Sequence, residues 1–370
     1  MPYKDNNSFS PVFIVGAIRS GTTLLRSLLN QHPDVCVDPF EANFLPFWMK
    51  SWDAFGDLSN KMIFDKFYKQ MMHFGRFQKS LFKNKNPISV DQWYDMCPNY
   101  TVSGVFEALL RYDIGADSAD NAVWLNKTPV LANYLNLANH HFPSASFLHI
   151  IRDPRDIALS QHYFLMKQYI KTGQYHPSVL QEIWDCSSQN IGQKDMVVSA
   201  QQWVDFIKKA RKGSLSFRHR YFEVRYEDLL SKPEETLQNV CDFIKIPYRK
   251  EMLKLEKTLQ PQSDGKVRNK IKKTNFNKYK TGMAHPIIRE IEEVVGDVAG
   301  DLGYELGTSD VLSRLSRFKI LYYKFCGKFN LTQAAVAKLG AIKGIILGIR
   351  LAFWQYGKKR TRKRREKSGK

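Results

Sequence analysis

Arg19, Ser20, Thr22 and Thr23 lie in the stretch VGAIRSGTTLL, residues 15–25. The first two lie between Gly16 and Gly21, and the two threonines lie between Gly21 and a leucine-rich run. A short apolar segment precedes this stretch, so the pattern is that of a strand, a glycine-hinged turn and a helix N-terminus. Such a unit binds anions, because backbone N–H groups converge there and the helix dipole favours negative charge. The glycine spacing is that of a nucleotide phosphate loop, except that Thr22 stands where that loop has its lysine. The sequence therefore predicts a phosphate-type cradle whose charge comes from Arg19.

The arginine in the cradle determines which ligands the cradle suits. A guanidinium group can bind two anionic oxygens at once, whereas a lysine ammonium is a point charge. Together with the hydroxyls of Ser20, Thr22 and Thr23, Arg19 suits a ligand with a short anionic chain. A metal ion is not obligatory for such a ligand, unlike in the nucleotide hydrolases.

Alternating apolar runs and Pro or Gly stops predict the elements that position this cradle. Strands are expected over 11–15, 35–37, 123–125, 146–151 and 221–225, and helices over 22–30, 156–166, 196–212 and 233–244. The recurrence of strand, turn and helix predicts an α/β fold with a central parallel sheet. Residues 44–122 lack strand alternation and are expected to form helices and loops over the sheet. Residues 258–284 are expected to form a long polar loop.

The run PVFIVGAIRSGTTLLRSLL, residues 11–29, resembles the 5′-phosphosulfate loop of sulfotransferases that use 3′-phosphoadenosine 5′-phosphosulfate (PAPS). It is most like the branch that contains tyrosylprotein, carbohydrate and many bacterial sulfotransferases. The resemblance implies a three-layer α/β sandwich with a P-loop-like phosphosulfate loop. It also implies metal-free binding of PAPS and of its product, 3′,5′-adenosine bisphosphate. The donor-binding residues implied in this loop are Arg19, Ser20, Gly21, Thr22 and Thr23.

A second stretch, IIRDPRDIALS at residues 150–160, resembles the 3′-phosphate motif of the same family. In that motif an arginine at the end of a strand and a serine eight residues later hold the phosphate. The matching residues are Arg152 and Ser160. Arg155 is the second arginine of this stretch, and we expect it either to contribute or to pair with Asp153 or Asp156.

Two further segments resemble donor-binding parts of the family. The segment FEVRYEDLL, residues 222–230, implies that Tyr226 lies near the adenine. The lysine-rich loop implies a basic cover over the donor, with Lys272, Lys273 and Asn275 as candidates. Tyr279 is expected to pack where relatives often have tryptophan.

Sulfuryl transfer requires a base for the acceptor hydroxyl and a cation near the leaving oxygen. The resemblance implies Glu41 as the base, with Asp38 as the alternative, and Lys127 as the cation, assisted by Arg19. The small-molecule branch of the family uses a histidine instead. In this chain His32 is expected to be structural, and His140, His141 and His149 are expected to pack in the fold.

The distribution of charge along the sequence predicts that the chain consists of a catalytic domain and a basic C-terminal extension. The net charge is +20, and nine Lys or Arg residues against one Glu follow Tyr356. We expect a catalytic domain over 1–310, with 44–122 as a helical insertion on the acceptor side, and a helical, polybasic extension over 311–370. Residues 331–370 are apolar and then basic, a pattern that favours an anionic membrane surface over a docked helix or nucleic acid.

Five scattered cysteines without a C-x-x-C pair, and the absence of H-E-x-x-H, argue against a zinc site or a disulfide framework. No secretory signal or membrane anchor is recognised, so the expected location is cytoplasmic, with peripheral contact at the inner membrane face. The predicted function is PAPS-dependent sulfation of a carbohydrate, glycolipid or tyrosyl-like hydroxyl, with no nucleic-acid partner. The alternatives are a Mg²⁺-dependent P-loop kinase or NTPase, and a non-enzymatic basic protein that binds membrane or nucleic acid.

Overall fold

The structure is a computed structural model that describes residues 9–72, 88–115, 122–172, 193–256 and 271–307, without side chains for 165–172 and 193–194. It divides into two compact units, one of residues 1–152 and 206–276, the other of 153–205 and 277–370. The predicted extension 311–370 and its membrane-binding stretch lie outside the described residues. None of the helices within the described ranges combines the length and low charge of a membrane-spanning segment.

The first unit contains a five-stranded sheet in which every neighbouring pair is parallel. The strands are β1 Val12–Gly16, β2 Val35–Val37, β3 Val123–Lys127, β4 Ser146–Ile151 and β5 Tyr221–Arg225, in the spatial order β2-β3-β1-β4-β5. The interior strands β1 and β4 are almost entirely buried, as expected for parallel strands covered on both faces.

Twelve α-helices are described. They are α1 Thr22–Leu29, α2 Leu45–Ser51, α3 Lys61–Met72, α4 Val90–Met96, α5 Val102–Ile114, α6 Leu135–His141, α7 Pro154–Thr172, α8 Gln193–Gly213, α9 Tyr226–Ser231, α10 Pro233–Phe243, α11 Tyr279–Gly282 and α12 His285–Asp301. Short 3-10 turns occupy Asp53–Phe55, Pro129–Tyr134, Leu215–Arg220 and Lys250–Leu253.

The sheet of the first unit carries a layer of helices on each face. Phe13 and Phe147 point into one apolar core, which α2 to α6 complete with large aromatic side chains such as Trp48 and Phe106. Ile14 and Leu148 point to the other face, where they pack with residues of α1, α9 and α10. The unit is therefore the three-layer α/β sandwich with a central parallel sheet that the sequence predicts.

Most predicted elements are confirmed, and the differences have local causes. β4 and β5 have the predicted bounds, and the described parts of 44–122 contain four helices. β3 extends beyond its predicted end at residue 125, because Asn126 and Lys127 pair with β1 despite their polarity. Parallel pairing of the backbone therefore holds two polar side chains at the carboxyl edge of the sheet.

In the second unit, Arg155 forms a buried ion-pair network. Its guanidinium donates to Asp153 at 2.7 and 3.0 Å and to Glu292 at 2.6 Å, so of the two carboxylates named from the sequence its partner is Asp153. Arg155 also stacks on Tyr279, 4.2 Å from the ring centroid. The Tyr279 N–H donates to Asp156 at 3.1 Å. These contacts explain why the loop predicted over 258–284 ends in the one-turn helix α11.

His149 on β4 lies in a buried polar chain of the first unit. The Tyr221 hydroxyl donates to Glu223 at 2.9 Å, so His149 Nδ1–H is the donor in the 2.5 Å contact with that hydroxyl. Burial lowers the pKa of His149 to about 4 from its ordinary 6.5. His149 Nε2 is also buried and has no hydrogen-bond partner in the part of the chain that the structure describes, so the fold favours the neutral imidazole.

Since folding lowers the pKa of His149, its contribution to stability is complete above pH 6.5 and is lost as the pH falls towards 4. The loss can reach roughly 3 kcal/mol. We expect His149→Gln, which can still donate to Tyr221 but does not titrate, to flatten the decline in unfolding free energy over this range. Urea unfolding at a series of pH values measures it, with the exposed His219→Gln as the control. Parallel curves for wild type and His149→Gln would contradict the prediction.

Candidate active site

The loop after β1 turns sharply before it enters α1. Gly16 and Gly21 have φ angles of 152° and 109°, and Arg19 has a φ of 75°. The Ser20 N–H closes a turn on the Ala17 carbonyl at 3.1 Å. A non-glycine residue in the left-handed region is uncommon and costs conformational energy, and such residues are frequent in ligand-binding loops.

Both glycines are required by close packing. A Cβ at Gly16 would lie 2.6 Å from the Ile150 carbonyl oxygen of the neighbouring strand. A Cβ at Gly21 would lie 2.3 Å from the ring of Tyr226. The loop is therefore held tightly against β4 and against the residue that begins α9.

The loop offers donors that suit an anion. Gly21 is the N-cap of α1 and provides no side-chain cap, so the N-cap residue leaves the first N–H groups of the helix available to a ligand. The Ser20 side chain is fully buried, and its hydroxyl has no hydrogen-bond partner among the described residues. A buried hydroxyl without a partner costs free energy, so a ligand oxygen at this position would satisfy it.

Arg152 follows β4 and lies beside the loop. Its guanidinium donates to the Arg19 carbonyl at 3.3 Å and to the Asn275 carbonyl at 3.1 Å. It also stacks on Tyr226, with 4.5 Å between the guanidinium carbon and the ring centroid. The structure thus brings together the Arg19 loop, Arg152, Tyr226 and Asn275, four parts of the predicted donor site.

The remaining predicted donor residues occupy different places. Lys272 and Lys273 are exposed in the segment that precedes Asn275. Thr22 is buried in the first turn of α1, and Thr23 is partly buried beside it. Ser160 lies on α7 in the second unit, and its predicted role as a phosphate ligand stays a prediction.

A chain of hydrogen bonds fixes the segment that carries Glu41. Thr128 accepts from the Ala42 N–H at 2.8 Å and donates to Asn126 at 2.6 Å. Asn126 in turn donates to Asp38 and to the Phe40 carbonyl. These contacts attach the segment after β2 to the end of β3, which places Glu41 beside Lys127.

Glu41 and Lys127 form an ion pair at the carboxyl edge of the sheet. Lys127 Nζ contacts one Glu41 carboxylate oxygen, and Asn43 donates to the other at 2.7 Å. The Glu41 side chain is 39% exposed, whereas that of Lys127 is 7% exposed. Burial lowers the pKa of Lys127, and the nearby Glu41 carboxylate opposes this shift. The pair thus combines a solvent-accessible carboxylate with a mostly buried ammonium group.

Asp38, the alternative base, has a different environment. It is 4% exposed, and its oxygens accept from the Phe40 N–H at 2.7 Å and from the Asn126 amide. Burial raises its pKa to about 7, although these hydrogen bonds and Arg26 act in the opposite direction. Because its carboxylate is buried and holds the Phe40 N–H and the Asn126 amide, Asp38 suits a structural role better than contact with an acceptor.

Three positioning residues were not predicted from the sequence, namely Asn43, Asn126 and Thr128. For Asn126 and Thr128 the signal was the polar sequence NKT, residues 126–128, at the end of an otherwise apolar strand, of which only the lysine was assigned a role. Asn43 had no such signal. The histidines have packing contacts: His32 contacts the Pro247 carbonyl at 2.8 Å, and His141 contacts the Met49 carbonyl at 3.0 Å. Within the described ranges, no group of three or more His, Cys, Asp or Glu is arranged to hold a metal ion.

A model of the sulfotransferase family matches residues 11–250, which contain the loop, Glu41, Lys127, Arg152 and Tyr226. The chain belongs to the sulfotransferase family.

Curated relatives of this sulfotransferase include a protein-tyrosine sulfotransferase of Drosophila melanogaster, 23% identical over 308 residues, which are 81% of this chain and 50% of the relative. The nodulation protein NoeE of Sinorhizobium fredii is 26% identical over 300 residues, 80% of this chain and 65% of that protein. The chain thus spans half to almost two thirds of these relatives.

Among solved structures, the sulfotransferase domain of the Synechococcus PCC 7002 olefin synthase is similar, with a TM-score of 0.50 and 19% identity. The similarity covers 83% of this chain and 98% of that domain, and it supports the fold.

We expect Gly21→Ala to lower the unfolding free energy of this sulfotransferase by about 3 kcal/mol, because the left-handed φ and the contact with Tyr226 both resist a methyl group. Urea unfolding measures the loss. The control is Gly300→Ala in α12, where the added methyl has no neighbour within 4 Å and should be neutral or slightly stabilising. Equal midpoints for the two variants would contradict the packing argument.

Proposed function

We propose that this sulfotransferase transfers the sulfuryl group of PAPS to a hydroxyl of its acceptor without a metal ion. Membership of the family supports sulfuryl transfer in general. The observation that carries the choice of donor is the arginine-bearing loop, which contacts a second arginine, Arg152. The buried Ser20 hydroxyl of this loop lacks a hydrogen-bond partner within the described ranges. Two cationic positions beside one helix N-terminus suit a ligand with anionic groups at two places, which PAPS has.

In this proposal, two parts of the site bind the two anionic ends of the donor. The loop residues Arg19, Ser20, Gly21, Thr22 and Thr23 bind the 5′-phosphosulfate, whose charge the helix N-terminus also favours. Arg152 and the 271–276 segment, with Lys272, Lys273 and Asn275, bind the 3′-phosphate end. Ser160 and a contact of Tyr226 with the adenine remain predictions from the family resemblance.

Glu41 is the proposed general base. It takes the proton of the acceptor hydroxyl, whose oxygen then attacks the sulfur in line with the bond to the donor phosphate. That sulfur–oxygen bond breaks, and Lys127 and Arg19 stabilise the negative charge that remains on the departing phosphate oxygen. As in phosphoryl transfer, positioning and electrostatics carry most of the catalysis. PAPS supplies the sulfuryl group, and the chain supplies the base and the cations.

The acceptor class follows from the family rather than from a contact. The chain resembles a protein-tyrosine sulfotransferase, and the family resemblance extends to carbohydrate-sulfating enzymes. We propose a tyrosyl or carbohydrate hydroxyl. Transfer of labelled sulfate from PAPS to tyrosine-containing peptides and to oligosaccharides distinguishes the two.

The alternative hypothesis, a kinase or NTPase, predicts binding of a magnesium–nucleoside triphosphate complex in place of metal-free PAPS. Such enzymes use the phosphate-loop lysine, where this chain has a Thr22 that is 6% exposed. A lysine at this position would place a charge in a nearly closed environment. The missing lysine therefore favours a donor that binds without a metal–triphosphate chelate.

Calorimetric titration with 3′,5′-adenosine bisphosphate in EDTA, beside Mg-ATP, tests the donor. We expect binding of the bisphosphate without metal, weakened at least tenfold in Arg152→Ala, because a charge-assisted contact is worth roughly 1.5–3 kcal/mol. Arg220→Ala is the control, since Arg220 contacts the Ala145 carbonyl and Asn139 at the amino edge of the sheet. Preference for Mg-ATP, or no binding by wild type, would contradict the proposal.

Substitution of the proposed base separates catalysis from binding. We expect Glu41→Gln to lower kcat about 10²- to 10⁴-fold, the range for loss of a general base, with bisphosphate affinity within about twofold of wild type. Sulfate transfer to the best acceptor of the panel measures it. Glu234→Gln, an exposed glutamate on α10, should have wild-type activity. Full activity of Glu41→Gln would contradict Glu41 as the base. Asp38 would then be the base if Asp38→Asn loses activity but keeps wild-type bisphosphate affinity and stability.

A further inference from the structure

Tyr226 lies where three parts of the proposed donor site meet. It directly follows β5, begins α9 and is 3% exposed. One side of its ring faces Gly21, at which no side chain fits, and the Arg152 guanidinium stacks on the ring. Its hydroxyl accepts a hydrogen bond from the Asn275 side chain at 2.5 Å. The ring and the hydroxyl therefore contact different segments of the chain.

Asn275 is held through three of its own atoms. Its side-chain amide donates to Tyr226, its carbonyl accepts from Arg152 at 3.1 Å, and its N–H closes a turn on the Lys272 carbonyl at 3.0 Å. The three residues before it, 272–274, are exposed, whereas Ile271 and Phe276 pack at the rim of the apolar core. The place of the two lysines thus depends on how firmly Asn275 is held.

We propose that Tyr226 is a positioning residue: its hydroxyl holds residues 271–276 in place before any nucleotide binds. Through Asn275 the same contact keeps Arg152 and the two lysines at one position. A segment ordered in advance does not lose that conformational entropy when the ligand arrives, which increases affinity. The nature of the ligand rests on the proposed function, whereas the ordering of 271–276 does not.

Hydrogen exchange of the full chain without nucleotide tests the ordering. We expect Tyr226→Phe, which keeps the ring, to speed exchange of the amides in 271–276 about 3- to 10-fold, the effect of one net hydrogen bond. Asn275→Ala should have the same effect, and the double variant should not exceed either single variant, because both remove one interaction. The control is Tyr248→Phe, since the Tyr248 hydroxyl is buried without a hydrogen-bond partner among the described residues.

Nucleotide affinity is a second measurement. A general loss of stability would weaken the binding of all nucleotides alike, whereas loss of the positioning contact should weaken only those with a 3′-phosphate. Tyr226→Phe should weaken binding of 3′,5′-adenosine bisphosphate about 3- to 10-fold. It should leave adenosine 5′-phosphate, which lacks the 3′-phosphate, within about twofold of its wild-type affinity. Tyr248→Phe should change neither affinity.

The two proposals fail in distinguishable ways. Wild-type exchange of 271–276 in Tyr226→Phe would overturn the positioning role, whatever the nucleotide results. Additive effects of Tyr226→Phe and Asn275→Ala would overturn it as well, since the hydroxyl would then act through a different contact. Faster exchange together with no bisphosphate binding by wild type would support the positioning role and contradict the PAPS proposal.

Discussion

The parallel pairing of β1 with β4 is the constraint on which the candidate site depends. Gly16 lies opposite Ile150 in the register, so the loop after β1 and Arg152 leave the sheet at the same edge. The strands approach so closely that a Cβ at Gly16 would contact the Ile150 carbonyl oxygen. Because the loop and Arg152 both follow the carboxyl ends of parallel strands, the Arg152 guanidinium comes within hydrogen-bond distance of the Arg19 carbonyl, although the two residues are far apart in sequence.

The same edge also has to accommodate charge in a mostly buried environment. A buried ammonium or carboxylate is costly unless it is paired and hydrogen-bonded. Lys127 meets this requirement through Glu41. Asp38 is hydrogen-bonded by Asn126 and the Phe40 N–H, but these contacts only partly offset its burial, which raises its pKa to about 7. The difference in exposure between Glu41 and Asp38 separates a carboxylate that solvent or an acceptor can reach from one that serves the fold.

Much of this fold could be predicted from sequence, because apolar runs and Pro or Gly stops are local signals. They defined β4 and β5 to the residue and placed α1 after the loop. The loop could be proposed from its own glycine spacing after a strand. Arg152, Glu41 and Lys127 could be proposed because they match motifs of a known family and each follows a predicted strand closely. The strand order could not be predicted, since the pairing of β2 with β3 joins segments more than 80 residues apart. Asn126 and Thr128 were missed for a related reason, because their contacts with Asp38, Phe40 and Ala42 exist only once β2 and β3 are side by side. Asn43 contacts Glu41 two residues away, and no sequence signal distinguished this local contact.

The same geometry bears on why the loop has Thr22 where a nucleotide phosphate loop has a lysine. Thr22 lies in the first turn of α1, where its side chain is almost fully enclosed, so a lysine there would need a tightly bound counter-anion. The positive charges stand instead on Arg19, within the loop, and on Arg152 and Lys127, at the ends of the two strands that flank β1. Charges on separate elements can face different parts of a ligand, whereas a single loop lysine faces one. The arrangement therefore suits a ligand with well-separated anionic groups better than a triphosphate gathered around a metal ion.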